Sequence, residues 1–254
     1  MSSFSGISVV TQHQLENEPR QRTTYSAEYV RSMFDSIAHR YDLLNHVLSS
    51  GLDVLWRHKM VRLLRPYRPQ SVLDLATGTA DVALEVARQL KPSQIVGIDI
   101  AERMLEIGKR KIARAGFSRV ISLEIGNAAR LRFASASFDC ATVAFGIRNF
   151  EHPEQCLGEM FRVLRPSGVM AILEFSRPTV FPVKQLYQAY SQFVLPAVGR
   201  WISRNSSAYS YLPATIAEFP DGNSFGALLS EAGFRSVRQV PLAFGIATIY
   251  LAEK

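Results

Sequence analysis

Three polar side chains stand at the ends of three successive apolar runs. Asp74 lies in SVLDLATGTADVA (71–83), Asp99 near the end of IVGIDI (95–100), and Asn127 in GNAARLRF (126–133). Between the first run and the segment that follows it is a tight turn, residues 76–80. A dinucleotide fingerprint, G-x-G-x-x-G, would strip such a turn of side chains so that backbone could approach a pyrophosphate. Here the aligned residues are A-T-G-T-A-D, with Gly78 the only glycine and the acids Asp74 and Asp81 on either side. Carboxylates attract an ammonium or sulfonium and repel phosphates, so the turn suits S-adenosylmethionine better than a nicotinamide dinucleotide. In that reading Asp74, Gly78 and Thr79 form the wall around the donor, and Asp99 accepts both ribose hydroxyls. Asn127 offers a donor and an acceptor to the adenine edge, and Ala128 a backbone N–H. Taken singly, Asp99 reads equally well as a helix N-cap and Asn127 as a loop residue. Their order, one after each strand, favours the cofactor.

Those positions require a parallel sheet. Apolar strands at Ser71–Leu75, Gln94–Ile98, Val120–Glu124, Phe138–Ala144 and Val169–Phe175 alternate with helices over Asp81–Leu90, Glu102–Ala115 and Pro153–Leu164. Near-continuous apolar strands separated by helices predict a parallel sheet covered on both faces. The right-handed crossover rule makes it a doubly wound, Rossmann-like α/β fold. After a helix at Ser224–Ala232, strands at Val237–Pro241 and Ile246–Leu251 are joined by a short link. They predict an antiparallel hairpin that brings the sheet to seven strands. Before the alternation, apolar pairs at helical spacing (Tyr29/Val30, Met33/Phe34, Ile37/Ala38, then Tyr41 and Leu44) predict an amphipathic helix from Ala27. A second helix covers Leu55–Leu64 and stops before Pro66. Residues 1–24 lack periodicity and read as a flexible tail. Residues 25–254 form a single domain, with 25–68 as a helical lid and 176–220 as an aromatic- and proline-rich insertion.

Bulk properties narrow the classes. The chain has 254 residues, enough for one large α/β core. No apolar stretch approaches the ~20 residues that span a bilayer, and the N-terminus lacks the layout of a secretion signal. Cys140 and Cys156 have no metal-ligand or redox spacing. These features lead us to expect a cytoplasmic protein without a metal site. The formal charge is +7, and residues 20–68 supply much of it, with nine Lys/Arg against four acids. Such a segment meets nucleic acid, an anionic membrane, or only water; on charge alone the solvated face is the plainer reading.

The strand-end set resembles that of the class I S-adenosylmethionine-dependent methyltransferases. Outside the cofactor half, YDLLNHVLSSGLDVLW (41–56), RVLRPSGVMAILEFS (162–176) and the region from FPVKQLYQ to YSYLPATIAEFP (181–220) are similar to the menaquinone/ubiquinone C-methyltransferase family, closest to its menaquinone branch. The chain departs from that family's usual pattern at Asp53, where a His is common, and at Ala80, where a Gly is. The resemblance implies C-methylation of a prenylated quinol, demethylmenaquinol or, alternatively, a benzoquinol of the ubiquinone pathway.

A hydroquinone ring carbon becomes nucleophilic when a neighbouring hydroxyl loses its proton, so the site needs a base or a cation that stabilises the phenolate. The loop after the fourth strand, AFGIRNF (144–150), faces the donor side. Gly146 permits close approach. Arg148 carries a permanent charge, so it lowers the quinol pKa or binds a hydroxide-like water rather than acting as a conventional base. Asn149 orients that water or the ring oxygen, and Tyr41 closes the site from the lid, which Asp42 and Asn45 hold. The plainer readings are surface pairing of Arg148 with Glu151 or Asp139, and core filling by Tyr41. Leu186, Tyr190, Phe193, Val194, Ala197 and Val198 lie close to one helical stripe flanked by Lys184, Arg200 and Arg204. That stripe suits a prenyl tail, lipid headgroups at the inner membrane face, or a homodimer contact. Two rival functions remain. An RNA methyltransferase would use the basic segment, but AFGIRN offers no clamp for an amino group and Cys140 falls inside a strand. A non-catalytic cofactor-binding partner in quinone synthesis would bind the donor without turnover.

Overall fold

The computed structural model describes residues 25–194 and 207–254. The expected tail at 1–24 and the stripe residues Ala197, Val198, Arg200 and Arg204 lie outside them. Seven strands form one sheet in the order β3-β2-β1-β4-β5-β7-β6. They are β1 (Ser71–Leu75), β2 (Gln94–Asp99), β3 (Ile121–Ile125), β4 (Phe138–Ala144), β5 (Leu164–Phe175), β6 (Arg235–Leu242) and β7 (Ala247–Glu253). The first five pair in parallel; β7 runs antiparallel to both β5 and β6. The expected hairpin is therefore present, and β7 slots between β5 and β6. The order reverses between β1 and β4, and the crevice outside a reversal is where open α/β sheets bind ligands.

Alternation along the strands divides the core into two layers. Val72, Ile95 and Cys140 face one way, against Val82, Val86 and Ile112 of helices α3 (Asp81–Leu90) and α4 (Glu102–Arg114) and Trp56 and Met60 of α2 (Leu52–Leu63). Leu73, Val96 and Ala141 face the other way, against Leu157 and Met160 of α5 (Pro153–Val163). Helix α1 (Ala27–Leu48) starts at Ser26, whose hydroxyl accepts from the Tyr29 N–H, a standard N-cap. The insertion contains α6 (Val183–Ala189), a π-helical turn (Tyr190–Val194) and α7 (Ser207–Glu218); α8 (Asn223–Glu231) then leads to β6.

Boundaries differ from expectation where turn chemistry intervenes. α2 begins at Leu52 rather than Leu55, because Gly51 turns the chain at φ 79°. β5 begins at Leu164 rather than Val169, because Leu164 already pairs with Phe138 across a register shift. β3 runs one residue later than the apolar count suggests. No helix among the described residues is long and apolar enough to cross a membrane.

Candidate active site

The crevice holds a cleft of about 840 Å³. Gly78, Asp99, Asn127, Ala128, Asn149 and Tyr41 all line it. Asp99 braces the turn: one carboxylate oxygen accepts from the Gly78 N–H at 2.8 Å and the other from the Ala101 N–H at 2.9 Å. Burial pushes its carboxyl above the usual range, against the pull of those backbone donors. Asn127 Oδ1 accepts from the Ala129 N–H at 2.8 Å, which fixes the amide plane. The turn carries Ala80 at φ 68°, a conformation that costs a residue with a Cβ roughly 1–2 kcal/mol. A glycine would adopt that backbone without the cost. The Ala80 methyl is accommodated by Gly108 of α4, where an added Cβ would stand 3.2 Å from it.

Asp74 and Thr79 sit elsewhere. Both line an adjoining recess of about 360 Å³, which shares Tyr41 and Gly78 with the cleft and also receives Asn45, Arg57 and Asp81. Asp74 is 1% exposed and accepts from the Thr77 and Thr142 hydroxyls, each at 2.6 Å. Burial raises its carboxyl from the ordinary 3.8 to about 6, even though both hydroxyls lower it. The Thr79 hydroxyl turns to α1, donating to Asp42 Oδ1 at 2.6 Å and accepting from Lys111 Nζ at 3.1 Å. Lys111 also bonds Asp42 Oδ2 at 3.0 Å and pairs with Asp81. Asp42 thus ties α1 to the turn and to α4. Tyr41 lies above Gly78 and hydrogen-bonds Asn45; burial raises its phenol. Asp53, at the unusual position, accepts from Ser49 Oγ at 2.7 Å and from Arg57 at 2.6 Å, securing the start of α2.

At the end of β4, Gly146 packs against Ala76, where a Cβ would come within 2.6 Å of the alanine methyl. Close approach there is a requirement of the fold. Arg148 follows in a single 3-10 turn and is 9% exposed. Its Nη1 donates at 2.6 Å to both Glu174 Oε1 and the Phe145 carbonyl, and Glu174 is fully buried. Surface pairing with Glu151 or Asp139 is thereby corrected: Glu151 accepts from the Ala27 N–H at the start of the lid, and Asp139 pairs with Arg165. Burial against Phe175, with the guanidinium carbon 5.4 Å from the ring centroid, favours the nearer strand-end acid. Arg148 itself does not line the cleft. Asn149 does, with its amide held between the Phe145 carbonyl at 3.4 Å and the Tyr211 hydroxyl at 2.9 Å.

Sequence reasoning missed Glu174 and Tyr211. Glu174 was legible as an acid at the end of a strand in ILEFS, and nothing local marked Tyr211, which reaches Asn149 across 62 residues. His58 contacts Glu85 at 2.8 Å, and His152 lines the cleft before α5. No three His, Cys, Asp or Glu among the described residues gather as metal ligands. Burial raises the Cys140 thiol, so it stays protonated inside β4.

A profile of the ubiE/COQ5 methyltransferase family matches residues 22–254. A protein named demethylmenaquinone methyltransferase from Bacteroides fragilis is 45% identical over 237 residues, covering 93% of this chain and 97% of its own. One named ubiquinone/menaquinone biosynthesis C-methyltransferase, from Geobacter sulfurreducens, is 45% identical over 92% of this chain and 91% of its own. Among solved structures, a SAM-dependent methyltransferase from Thermotoga maritima superposes with a TM-score of 0.60 at 18% identity, over 88% of this chain and 99% of that one. At that identity the likeness concerns the fold.

Proposed function

The chain belongs to the ubiE/COQ5 methyltransferase family, and on that premise we propose that it transfers a methyl group from S-adenosylmethionine to a ring carbon of a prenylated quinol, converting demethylmenaquinol to menaquinol. One observation carries the donor: the described residues lining the cleft include Asp99 and Glu151 and no Lys or Arg. Phosphates would be repelled there and a sulfonium attracted. The adjoining recess combines Arg57 with Asp74 and Asp81, a charge pattern matching the carboxylate and ammonium of an amino acid. S-adenosylmethionine supplies, when bound, an electrophilic methyl group.

The chain's own residues then bind, orient and exclude water. The Asp99 oxygens keep lone-pair capacity beyond their backbone bonds, which leaves them able to accept from ribose hydroxyls. Asn127, its carbonyl already engaged, presents its NH2 to an adenine ring nitrogen. Tyr41 and the Asp42–Thr79–Lys111 latch close the lid over the turn. Arg148 serves the acceptor electrostatically: held by Glu174, it lends positive field to the phenolate left when the quinol hydroxyl gives its proton to water. The ring carbon would then take the methyl as its bond to sulfur breaks, leaving S-adenosylhomocysteine, and the ring proton would pass to water. Asn149, fixed by Tyr211, orients the ring oxygen.

Val180, Phe181, Leu186 and Phe193 of the insertion and Phe244 of the β6–β7 link are all exposed, and the link approaches the insertion at Gly245, where an added Cβ would lie 3.5 Å from Pro178. With Lys184 beside them they suit peripheral contact with the inner face of a membrane; a homodimer would cover the same side chains. The experiment that tests the function offers labelled S-adenosylmethionine with reduced demethylmenaquinone, a demethylated benzoquinol and bulk RNA in parallel. Label in menaquinol supports this reading. Label in the benzoquinol alone favours the ubiquinone pathway, which the name of the Geobacter relative keeps in view. Label in RNA alone, or donor binding with no turnover, refutes the proposal.

A further inference from the structure

A second hollow, of about 920 Å³, shares no lining residue with the cleft. Trp56, Phe175, Leu186, Tyr187, Tyr190 and Ile216 form most of its wall, drawn from α2, β5, α6, the π-helical turn and α7. No charged side chain is among the described residues that line it. Only one layer of rings divides it from the cleft. Phe145 lines the cleft and Phe175 the hollow, with ring centroids 4.7 Å apart, and Trp56 stands 6.3 Å from each.

The Arg148–Glu174 pair sits in that same partition. Burial raises the Tyr187 phenol, and the field of Arg148 draws it back. Arg148 acts in the same sense on Tyr41 in the cleft. The guanidinium touches both rings' residues: its carbon lies 5.4 Å from the Phe175 centroid, and its Nη1 donates to the Phe145 carbonyl at 2.6 Å.

We propose that this hollow receives the isoprenoid tail of the acceptor, so that the quinol ring is held at the Phe145–Phe175 layer beside Arg148. The inference rests on the methyl-transfer reading and deepens it by giving the two ends of the acceptor separate places. An isoprenoid chain has no hydrogen-bonding group and gains by leaving water. The aromatic and aliphatic wall carries no acid or amide among its described residues, whereas the cleft, though also largely apolar, places Asp99, Glu151, Asn127 and Asn149 in its lining. The rim continues the route outward: Leu186 belongs to the wall and is 66% exposed, next to the apolar side chains of the insertion surface.

Val183→Trp and Leu186→Trp narrow the hollow from α6, a helix with no buried residue, so the fold is spared. Two acceptors are compared: reduced demethylmenaquinone with a long tail, and tail-free 1,4-naphthohydroquinone. The variants should raise KM for the long-tailed quinol by about tenfold or more, leaving donor affinity and kcat/KM for the tail-free quinol unchanged. A methylation-inert probe, a dimethyl-ether naphthohydroquinone bearing a diazirine-tagged farnesyl chain, should crosslink to the peptides of α6 and α2. Equal effects of the variants on both quinols, or no effect on either, would overturn the proposal. So would crosslinks confined to other elements. Crosslinking to α6 and α2 by a wild-type protein that methylates neither quinol would uphold the tail chamber and overturn the methyl-transfer reading instead.

Discussion

At the ends of β1 and β2, Asp74 and Asp99 take their hydrogen bonds from hydroxyls and backbone N–H groups, and neither has an ion-pair partner among the described residues. At the end of β5, Glu174 takes its bonds from a guanidinium and from backbone. Both edges bury carboxylates, yet the first keeps its negative charge uncompensated and the second cancels it internally. Holding an unpaired buried carboxylate costs stability, as the raised Asp74 and Asp99 carboxyls register. That cost has a purpose if a cation binds there. The β4–β5 edge, neutral overall, suits an uncharged ring on which charge develops only during reaction.

The contrast can be broken from either side. The largest effect is expected at Glu174→Gln, which leaves Arg148 charged and buried without its carboxylate. Loss of one partner of a buried pair typically costs about 3–5 kcal/mol, readable as a drop in the urea midpoint. Adding Arg148→Met should restore a large part of it, and additive losses would show that the two residues do not act as a pair. Asp74→Asn tests the other edge through pH. The folded carboxyl, at about 6 against an ordinary 3.8, holds its proton more tightly than the unfolded chain does. Its contribution to stability is therefore present at low pH and lost as pH rises through that window. A shift of about two units corresponds to about 3 kcal/mol. The wild type should lose that much relative to the asparagine variant between about pH 4 and pH 7, and parallel stability curves would contradict it. The smallest change is Thr79→Val, which removes the hydroxyl linking Asp42 and Lys111. A loss of about 1 kcal/mol is expected, with faster hydrogen exchange in α1 than in the sheet; uniform exchange would mean that the latch does not hold the lid.

The two edges also differed in how legible they were. The β1–β3 side could be read from sequence because its chemistry is local: apolar run, turn and acid follow one another within each βα unit. Asp99 sits where that logic puts it, and the parallel order follows from strand–helix alternation. Asp74 and Thr79 belong to the same local pattern, but the lid and the Thr142 hydroxyl, which no local spacing reveals, decide which way they turn. The β4–β5 side depends on contacts across the chain. Arg148 finds Glu174 at a separation of 26 residues and Asn149 finds Tyr211 at 62. No period in the sequence marks either pair. The insertion was legible only as a break in pattern, since aromatic residues at mixed spacing suit a stripe, a chamber wall and an exposed surface alike.

The central claim is that uncompensated strand-end carboxylates hold a cationic methyl donor. Calorimetric titration of the wild type and Asp99→Asn with S-adenosylmethionine, and of the wild type with NAD, tests it most directly. The account predicts saturable binding of the methyl donor, at least about tenfold weaker in the variant, a loss of about 1.4 kcal/mol, and no binding of NAD. Equal donor affinity in the two proteins, or saturable binding of NAD by the wild type, would contradict it.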